Sequence, residues 1–287
     1  MKLLIQILGI LFCSTLNSKA QVFDTSQLIS RPSVNLPQKA ISTDVDNDGR
    51  IDLVVAGVKP DNLCWFRNLG NGIYGDKQSI LIAEDNYTYT CSVLSNDIDN
   101  DGDNDLIAFD YQFSIGPFGN DLPFNRKCYW LENLSNGNFG EKQIINVDTT
   151  MLTRFNCKFN LVDFDGDGLK DLVYGYQSTW NKNLGGGNWS IYQPIIFNGN
   201  FFATDNYYLN DIDQDGVSEI ITENSYGSGI NIYAGKHDGN GQIEEILIIA
   251  NGFWGIDDIE LSDIDNDGLN DFVFSVNNKL IWQKNLG

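Results

Sequence analysis

Five short segments of the chain carry carboxylates at one fixed spacing. The first reads Asp44-Val-Asp46-Asn-Asp48-Gly49-Arg-Ile-Asp52, with acids at positions 1, 3, 5 and 9 and glycine at position 6. Calcium takes about six to eight hard oxygen ligands, and glycine permits the tight turn that such a loop needs. Converging carboxylates repel one another strongly without a cation. The spacing therefore predicts a calcium site, with the backbone carbonyl of residue 7 as a further ligand.

The motif recurs four more times, and we call the five copies acidic loops 1 to 5. The predicted ligands, with residue 7 of each loop contributing its carbonyl oxygen, are Asp44, Asp46, Asp48, Arg50 and Asp52; Asp97, Asp99, Asp101, Asp103 and Asp105; Asp163, Asp165, Asp167, Leu169 and Asp171; Asp211, Asp213, Asp215, Val217 and Glu219; and Asp263, Asp265, Asp267, Leu269 and Asp271. Up to five Ca²⁺ ions are expected. Glu219 is one methylene longer than aspartate, so the fourth site is expected to be the weakest.

Other metal chemistries fit the sequence less well. An EF-hand needs glutamate at position 12 and flanking helices. Position 12 is instead occupied by Val55, Ala108, Tyr174, Thr222 and Phe274. The glycine-rich nonapeptide register of calcium-binding β-helices is missing. Magnesium tolerates a crowded, fully protein-built oxygen cage poorly, so calcium is favoured.

The charge of the chain is concentrated in these loops. The 287 residues include 39 acidic and 18 basic ones, for a net charge of -21. Motif positions 1, 3, 5 and 9 hold 20 of the acids, which leaves 19 against 16 basic residues beyond residue 20. Such a balance argues against binding to nucleic acid or to anionic membranes. The single histidine, His237, excludes sites built on several imidazoles.

The loops mark a fivefold repeat with start-to-start spacings of 53, 66, 48 and 52 residues. Each loop lies between two segments with the pattern of short strands. A third strand follows, with the signature Trp-x-x-Asn at Trp65, Trp130, Trp180 and Trp282 and with Tyr233 in place of tryptophan in the fourth copy. An outer strand such as 79–82 or 143–147 completes the unit. No segment has a sustained helical period, so the sequence predicts an all-β fold, a β-propeller of five four-stranded blades.

The N-terminal residues suggest export and ring closure. Lys2, an apolar run and Ser18-Lys19-Ala20 are typical of a signal peptide over residues 1–20, cleaved before Gln21. The alternatives are a membrane anchor, for which the run is short, and a lipid anchor on Cys13. The propeller then spans residues 21–287. Residues 22–29 resemble the outer strand that the last repeat lacks, which predicts a ring closed by the N-terminal strand. The alternative is a piece of a larger ring.

Five copies of Asp-x-Asp-x-Asp-Gly-x-x-Asp, each followed by a β-rich run, resemble the FG-GAP/VCBS repeats of integrin α-chain propellers and of many secreted bacterial proteins. The resemblance covers essentially all of residues 21–287. It implies a calcium ion in the hairpin between the first two strands of each blade, bound by the acids given above. Glu219 departs from the pattern, and so does the count of five, because such propellers more often have seven blades.

No catalytic constellation is visible, since the chain has no Gly-x-Ser-x-Gly motif and its spaced acids are assigned to metal. The sequence therefore favours a secreted calcium-binding module for adhesion or for binding a glycan or an extracellular protein. The alternative is a secreted polysaccharide lyase or glycosidase that uses carboxylates outside the loops. Candidates for that chemistry are Glu132, Glu223, Asp110 and Asp257.

Aromatic residues and cysteines outside the loops lead to two further predictions. The aromatic segments 113–124 and Phe253-Trp254 are candidate ligand surfaces, whereas the recurrent tryptophans are expected to pack between sheets. Four cysteines lie beyond the signal peptide, and they form either two disulfides of undetermined pairing or free thiols. They are Cys64, Cys91, Cys128 and Cys157.

Overall fold

A computed structural model describes the chain in twelve segments, and every regular element in them is a β-strand. The all-β prediction is confirmed. The predicted signal peptide (residues 1–20), residues 22–29 and Cys157 lie outside the described residues. Those residues are 36–57, 61–82, 88–115, 121–147, 159–174, 179–197, 200–201, 207–224, 230–238, 242–253, 256–276 and 279–287.

The first repeat forms an antiparallel sheet with a small hairpin beside it. Its strands are β1 (Lys39–Thr43), β2 (Asp52–Ala56), β3 (Asp61–Phe66), β4 (Asn68–Gly70), β5 (Ile73–Tyr74) and β6 (Gln78–Ile82). Sheet 1 has the order β1-β2-β3-β6, and the β4–β5 hairpin precedes its outer strand. Acidic loop 1 joins β1 to β2, as predicted.

The second and third repeats follow the same plan. The strands of the second are β7 (Thr88–Asn96), β8 (Asp105–Ile115), β9 (Asp121–Leu131) and β10 (Gln143–Ile145). Those of the third are β11 (Phe159–Val162), β12 (Asp171–Tyr174), β13 (Thr179–Asn181), β14 (Asn183–Gly185), β15 (Asn188–Trp189) and β16 (Gln193–Pro194). Sheets 2 and 3 have the orders β7-β8-β9-β10 and β11-β12-β13-β16, and β14 pairs with β15.

The last two repeats depart from this plan in opposite ways. The fourth sheet has six strands, which are β17 (Ile196–Phe197), β18 (Asn200–Phe201), β19 (Tyr207–Asn210), β20 (Glu219–Asn224), β21 (Ile230–His237) and β22 (Gln242–Phe253). Strand β17 joins it in parallel with β22. The fifth sheet has three described strands, β23 (Ile256–Ser262), β24 (Asp271–Val276) and β25 (Lys279–Gln283).

The strand register corrects one prediction for the fourth repeat. Ile220 pairs with Gly235, just as Leu53 pairs with Phe66 in the first repeat. The position of Trp65 is therefore held by Ala234, one residue after Tyr233. Tyr233 was the wrong choice because an aromatic residue at a similar spacing does not fix a register, which hydrogen bonding of the whole hairpin decides.

Four apolar interfaces join consecutive repeats and form the core. Trp65 packs with Val93 between repeats 1 and 2, and Phe109 stacks on Phe159 between repeats 2 and 3. Trp180 and Tyr207 share the next interface, and Ala234 meets Phe272 in the last. Burial on both faces explains why these strands are rich in large apolar residues.

The recurrent tryptophans occupy these interfaces in three of the four cases. Trp65, Trp130 and Trp180 are at most 2% exposed, which confirms that they pack between sheets. Trp282 is 51% exposed, so the prediction is wrong for this residue. Its ring belongs to the outer side of the fifth sheet, where no further described sheet lies against it.

Asparagine side chains also fasten one repeat to the preceding one. Asn133 lies in repeat 2, and its Nδ2 donates to the carbonyl of Val45 in loop 1 at 3.0 Å. Asn183 likewise donates to Ile98 in loop 2 at 2.9 Å, and Asn285 to Ile212 in loop 4 at 2.8 Å. Each of these asparagines is the last residue of the Trp-x-x-Asn signature. These bonds connect loops 1, 2 and 4 to the repeat that follows each of them.

Repeats 1 and 5 present the two ends of this stack. A side chain added at Gly72 in repeat 1 meets no described atom within 4 Å, whereas Gly137, the equivalent glycine in repeat 2, lies against the Trp65 ring. No described interface joins Trp282 to repeat 1. The closed five-bladed ring therefore stays a prediction from the sequence.

The cysteines take buried or partly buried positions in repeats 1 and 2. Among the described residues, no disulfide joins any two of Cys64, Cys91 and Cys128. Cys91 donates to the carbonyl oxygen of Phe109 at 3.3 Å. Burial raises the pKa of the Cys128 thiol well above its usual value, which makes this group an apolar core element at neutral pH.

Candidate metal centres in the acidic loops

Each acidic loop is a tight turn whose backbone visits the left-handed region twice. Gly49 and its four equivalents have φ between 84° and 98°, as the motif predicts for position 6. Position 4 is also left-handed, with φ of 58° at Asn47, and it is occupied by asparagine in three loops. Asparagine tolerates this conformation better than most residues, so its recurrence at position 4 was the available signal.

Hydrogen bonds within the loop hold this shape. In loop 1 the Asp44 carboxylate accepts the backbone N–H groups of Asp48 and Gly49 at 3.2 and 2.8 Å. Asp48 in turn accepts the N–H of Arg50 at 3.0 Å. The carboxylate of position 1 accepts the N–H of position 6 in all five loops. The acids at positions 1 and 5 therefore help to fix the shape of the loop.

The acid at position 9 accepts hydrogen bonds from its own loop and from the segment after the third strand, and it thereby connects both to the second strand. The buried Asp171 accepts the N–H of Phe164 in its own loop at 3.0 Å and that of Asn183 after the third strand at 2.8 Å. Asp52, Asp105 and Asp271 make the same pair of bonds. The motif predicted these acids only as ligands, so their structural role was missed.

Glu219 differs from the other acids at position 9. Its Oε2 accepts the N–H of Ile212 at 2.9 Å, while Oε1 is buried and accepts no hydrogen bond. The third strand has His237 where the other repeats have asparagine, as the register shows. One carboxylate oxygen of Glu219 is thus left for another partner inside the loop. That the fourth site is the weakest stays a prediction.

Carboxylate oxygens converge in every loop. One oxygen from each of three acids lies within 4.8 Å of the others in all five loops. These acids are Asp44, Asp46 and Asp48; Asp97, Asp99 and Asp101; Asp163, Asp165 and Asp167; Asp211, Asp213 and Glu219; and Asp263, Asp265 and Asp271. The remaining predicted acids belong to the same turns but not to these closest sets.

Four of the loops contain a buried carboxylate oxygen without a hydrogen-bond donor. These atoms are Asp46 Oδ1, Asp103 Oδ1, Asp165 Oδ1 and Glu219 Oε1. A buried carboxylate oxygen normally has a donor or a metal ion as its partner. The donor set is entirely oxygen, which is the set that Ca²⁺ prefers. The loops therefore fit a calcium ion by chemistry and by geometry.

Basic side chains lie against four of the five loops. Arg67 Nε is 2.6 Å from Asp46 Oδ2, and its Nη2 is 2.9 Å from Asp48 Oδ2. Three lysines contact positions 3 and 5 of their own loops in the same way. They are Lys182 on Asp165 and Asp167, Lys236 on Asp213 and Asp215, and Lys284 on Asp265 and Asp267.

The buried acids at position 9 predict how stability depends on pH when calcium is removed. Burial raises the pKa of Asp105 to about 6, and those of Asp171 and Glu219 to about 7. A raised pKa means that the folded state holds protons which the unfolded state has released. This contribution to stability is complete below about pH 4 and is lost as pH rises through 6 to 7. The calcium-depleted protein should therefore melt at a lower temperature at pH 7.5 than at pH 5.

Melting curves across pH 5 to 7.5, with and without excess calcium, check this expectation. The aspartates whose pKa the lysines lower, Asp215 through Lys236 and Asp267 through Lys284, titrate below this range. Calcium should abolish the decline, because a bound cation keeps the carboxylates ionised. A melting temperature that rises with pH in the calcium-depleted protein would contradict the assignment.

Among the described residues, no two of the carboxylates predicted for a lyase or glycosidase form a catalytic pair. Asp110 is buried and accepts hydrogen bonds from Thr90 Oγ1 at 2.6 Å and from Tyr129 Oη at 2.8 Å. Glu132 lies in repeat 2 after the third strand. The side chains of Glu223 and Asp257 and of the aromatic segments 113–124 and 253–254 lie outside the described residues.

A model of the FG-GAP-like repeat matches residues 44–108, which hold acidic loops 1 and 2 with the strands between them. This stretch is an FG-GAP-like repeat. The suspected resemblance is confirmed there, and loops 3 to 5 repeat the geometry of the FG-GAP-like stretch. No curated protein matches the chain.

The chain is similar to solved structures of low sequence identity. A lectin from Agrocybe aegerita that recognises non-reducing terminal N-acetylglucosamine shares 17% identity and a TM-score of 0.59, over 87% of this chain and 66% of the lectin. A rhamnogalacturonan lyase from Bacillus licheniformis shares 13% identity and a TM-score of 0.42, over 87% of this chain and 57% of the lyase. The chain thus spans less than two thirds of either protein. The lectin supports a shared fold and nothing more specific.

Proposed function

We propose that the chain is a secreted, calcium-stabilised binding module without enzymatic activity, acting in adhesion or in recognition of a glycan or an extracellular protein. One observation carries the calcium part of this proposal. Five loops of the same oxygen-only geometry recur along the chain, and four of them contain a buried carboxylate oxygen that accepts no hydrogen bond. Calcium at these loops would rigidify the side of the stack on which they lie.

The proposed ligands are the motif residues themselves. Acids at positions 1, 3 and 5 supply oxygens in loops 1 to 3, and Glu219 and Asp271 add one at position 9 in loops 4 and 5. We assign the carbonyl of residue 7 and the remaining acids of positions 5 and 9 to the same ions. Bound calcium supplies positive charge that offsets the mutual repulsion of these acids.

For the fold, we propose that the repeats are blades of a β-propeller within residues 21–287, and that residues 22–29 add the fourth strand of sheet 5. The three described strands of that sheet leave β25 at its edge. An unpaired edge strand favours aggregation. Deleting residues 22–29 from the protein without its signal peptide should therefore lower the melting temperature and promote aggregation. A deletion variant as stable as its parent would refute this strand assignment.

The binding part of the proposal rests on the fold and on the chemistry of the chain. The structurally similar lectin recognises a sugar. In this chain a cavity of about 470 Å³ lies between the first strands of repeats 1 to 3, which are β1, β7 and β11. Polar groups from Ser42, Ser95, Asn96 and Asn160 line this cavity. The described residues contain no helix with the length and apolarity that a membrane crossing requires. Export through residues 1–20 is part of the proposal.

A glycan array tests the binding function. The protein without its signal peptide should bind a restricted set of glycans in the presence of calcium and lose that binding in chelator. Release of reducing ends or of unsaturated products from any polysaccharide on the array would favour the lyase or glycosidase alternative instead. Absence of glycan binding in both conditions would rule out the tested glycans and favour an extracellular protein as the partner.

A further inference from the structure

The five loops are not electrostatically equivalent, and one residue position explains the difference. Strand register aligns one position at the carboxyl end of the third strand in repeats 1, 3, 4 and 5. This residue follows the strand directly in repeats 1, 3 and 5, and it is the penultimate residue of β21 in repeat 4. It is basic in all four: Arg67, Lys182, Lys236 and Lys284. In repeat 2 the same register selects Glu132. The charge at this position is therefore reversed in one repeat.

Where the residue is basic, its charged group lies between two predicted ligands. Lys236 Nζ is 2.6 Å from Asp213 Oδ2 and also contacts Asp215. Lys182 and Lys284 each lie 2.8 Å from the acid at position 5 and also contact the acid at position 3. These groups are a quarter or more exposed, so the ion pairs are individually weak. A calcium ion can displace such a cation, but it then binds beside a tethered positive charge.

Loop 2 has no such cation and carries an additional acid. Within the described part of the chain, no lysine or arginine pairs with Asp97, Asp99, Asp101 or Asp103. Asp103 stands at position 7, where other loops have arginine or an apolar residue. It is only 8% exposed, and its Oδ2 accepts a hydrogen bond from Ser135 Oγ at 3.0 Å. Its Oδ1 is buried and accepts no hydrogen bond.

The charge balance of loop 2 differs accordingly. Aspartates occupy positions 1, 3, 5, 7 and 9 of this loop. Within the described residues, no lysine or arginine offsets their charge, whereas Lys284 contacts Asp265 and Asp267 in loop 5. The buried Asp103 Oδ1, which accepts no hydrogen bond, belongs to the same loop 2.

We infer that loop 2 is the high-affinity cation site of this protein, and that the basic residue at the aligned position of the other four repeats lowers the calcium affinity of their loops by competing with the ion. This inference rests on the proposed calcium function. Affinity of oxygen-lined loops rises with the number of ligand charges. The chain would then bind one calcium ion at low concentration and the others only as calcium rises.

Calorimetric titration of the protein with calcium chloride tests this inference through two opposite charge changes. Glu132→Lys places a cation beside loop 2 and should weaken the tightest site by about tenfold or more. Lys182→Gln removes the competitor from loop 3 and should tighten one weak site by a similar factor. Glu132→Gln is the matched control, and it should have a smaller effect than Glu132→Lys. Circular dichroism of each variant establishes that it is folded.

The outcomes separate this inference from the proposed function. Wild-type protein that binds calcium at five equal sites, or variants with unchanged isotherms, would overturn the ranking of the loops and leave calcium binding intact. Absence of any calcium binding in wild type and variants alike would overturn both. If Glu132→Lys does not fold, Lys182→Gln alone decides. Tighter calcium binding at one weak site supports the inference, and unchanged binding overturns it.

Discussion

Replacing Gly187 with alanine is expected to lower the free energy of unfolding by about 4 kcal/mol. Gly187 lies in the turn before β15 with φ of 72°, and a Cβ atom there would overlap the ring of Trp130 from the preceding repeat. Both partners are rigid, because the Trp130 ring is enclosed between sheets 2 and 3. Chemical denaturation of the purified variant measures this loss.

Gly72→Ala is the matched control for Gly187→Ala. Gly72 holds the equivalent turn position in repeat 1, and its φ of 74° imposes the same backbone strain. No described atom lies within 4 Å of the added Cβ, so we expect a loss of about 1 kcal/mol. Equal losses at the two positions would contradict the described contacts. They would indicate instead that Trp282 lies beneath Gly72, as a closed ring of five repeats requires.

Asn133→Ala is expected to cost about 3 kcal/mol. The Asn133 side chain is buried, and its Nδ2 donates to Val45 in loop 1 and to Asn104 in loop 2, both at 3.0 Å. Alanine leaves both carbonyl groups without this donor. Because one bond crosses between repeats, the variant should also unfold less cooperatively in chemical denaturation.

Asn68→Ala provides the control for this second substitution. Asn68 has the same place in repeat 1 and donates to Ile51 of its own loop at 2.8 Å, on a partly exposed surface. It makes no described bond to another repeat, so its replacement should cost about 1 kcal/mol. Similar losses for both asparagines would show that the bond between repeats contributes little.

The sequence alone was sufficient to predict the strands and turns that depend on local residue spacing. Alternating apolar residues before and after each acidic loop located the first two strands of every repeat, because period-two patterns bury one face of a strand. Glycine at position 6 correctly indicated a left-handed turn. The motif match over residues 44–108 agrees with the resemblance seen in the spacing of the acids.

Predictions that depend on contacts between distant segments were either wrong or not made. The Trp-x-x-Asn signature was recognised, yet its asparagine was not identified as the bond between repeats. Tyr233 was placed one residue out of register, and Trp282 was expected to be buried. These properties depend on which segment lies opposite, and one chain segment read alone does not contain that information. The basic residues on the loops belong to the same class, since they reach positions 3 and 5 from another strand.

The most direct test of calcium as the stabilising ligand is the thermal unfolding of one protein sample in two conditions. Protein that lacks residues 1–20 and is otherwise wild type is heated in about 10 mM calcium and in excess chelator, at constant ionic strength and pH. Occupied sites that exist only in the folded state should raise the melting temperature by about 10 °C or more in calcium. Magnesium at the same concentration should have a much smaller effect. Identical melting temperatures in calcium and in chelator would contradict the account.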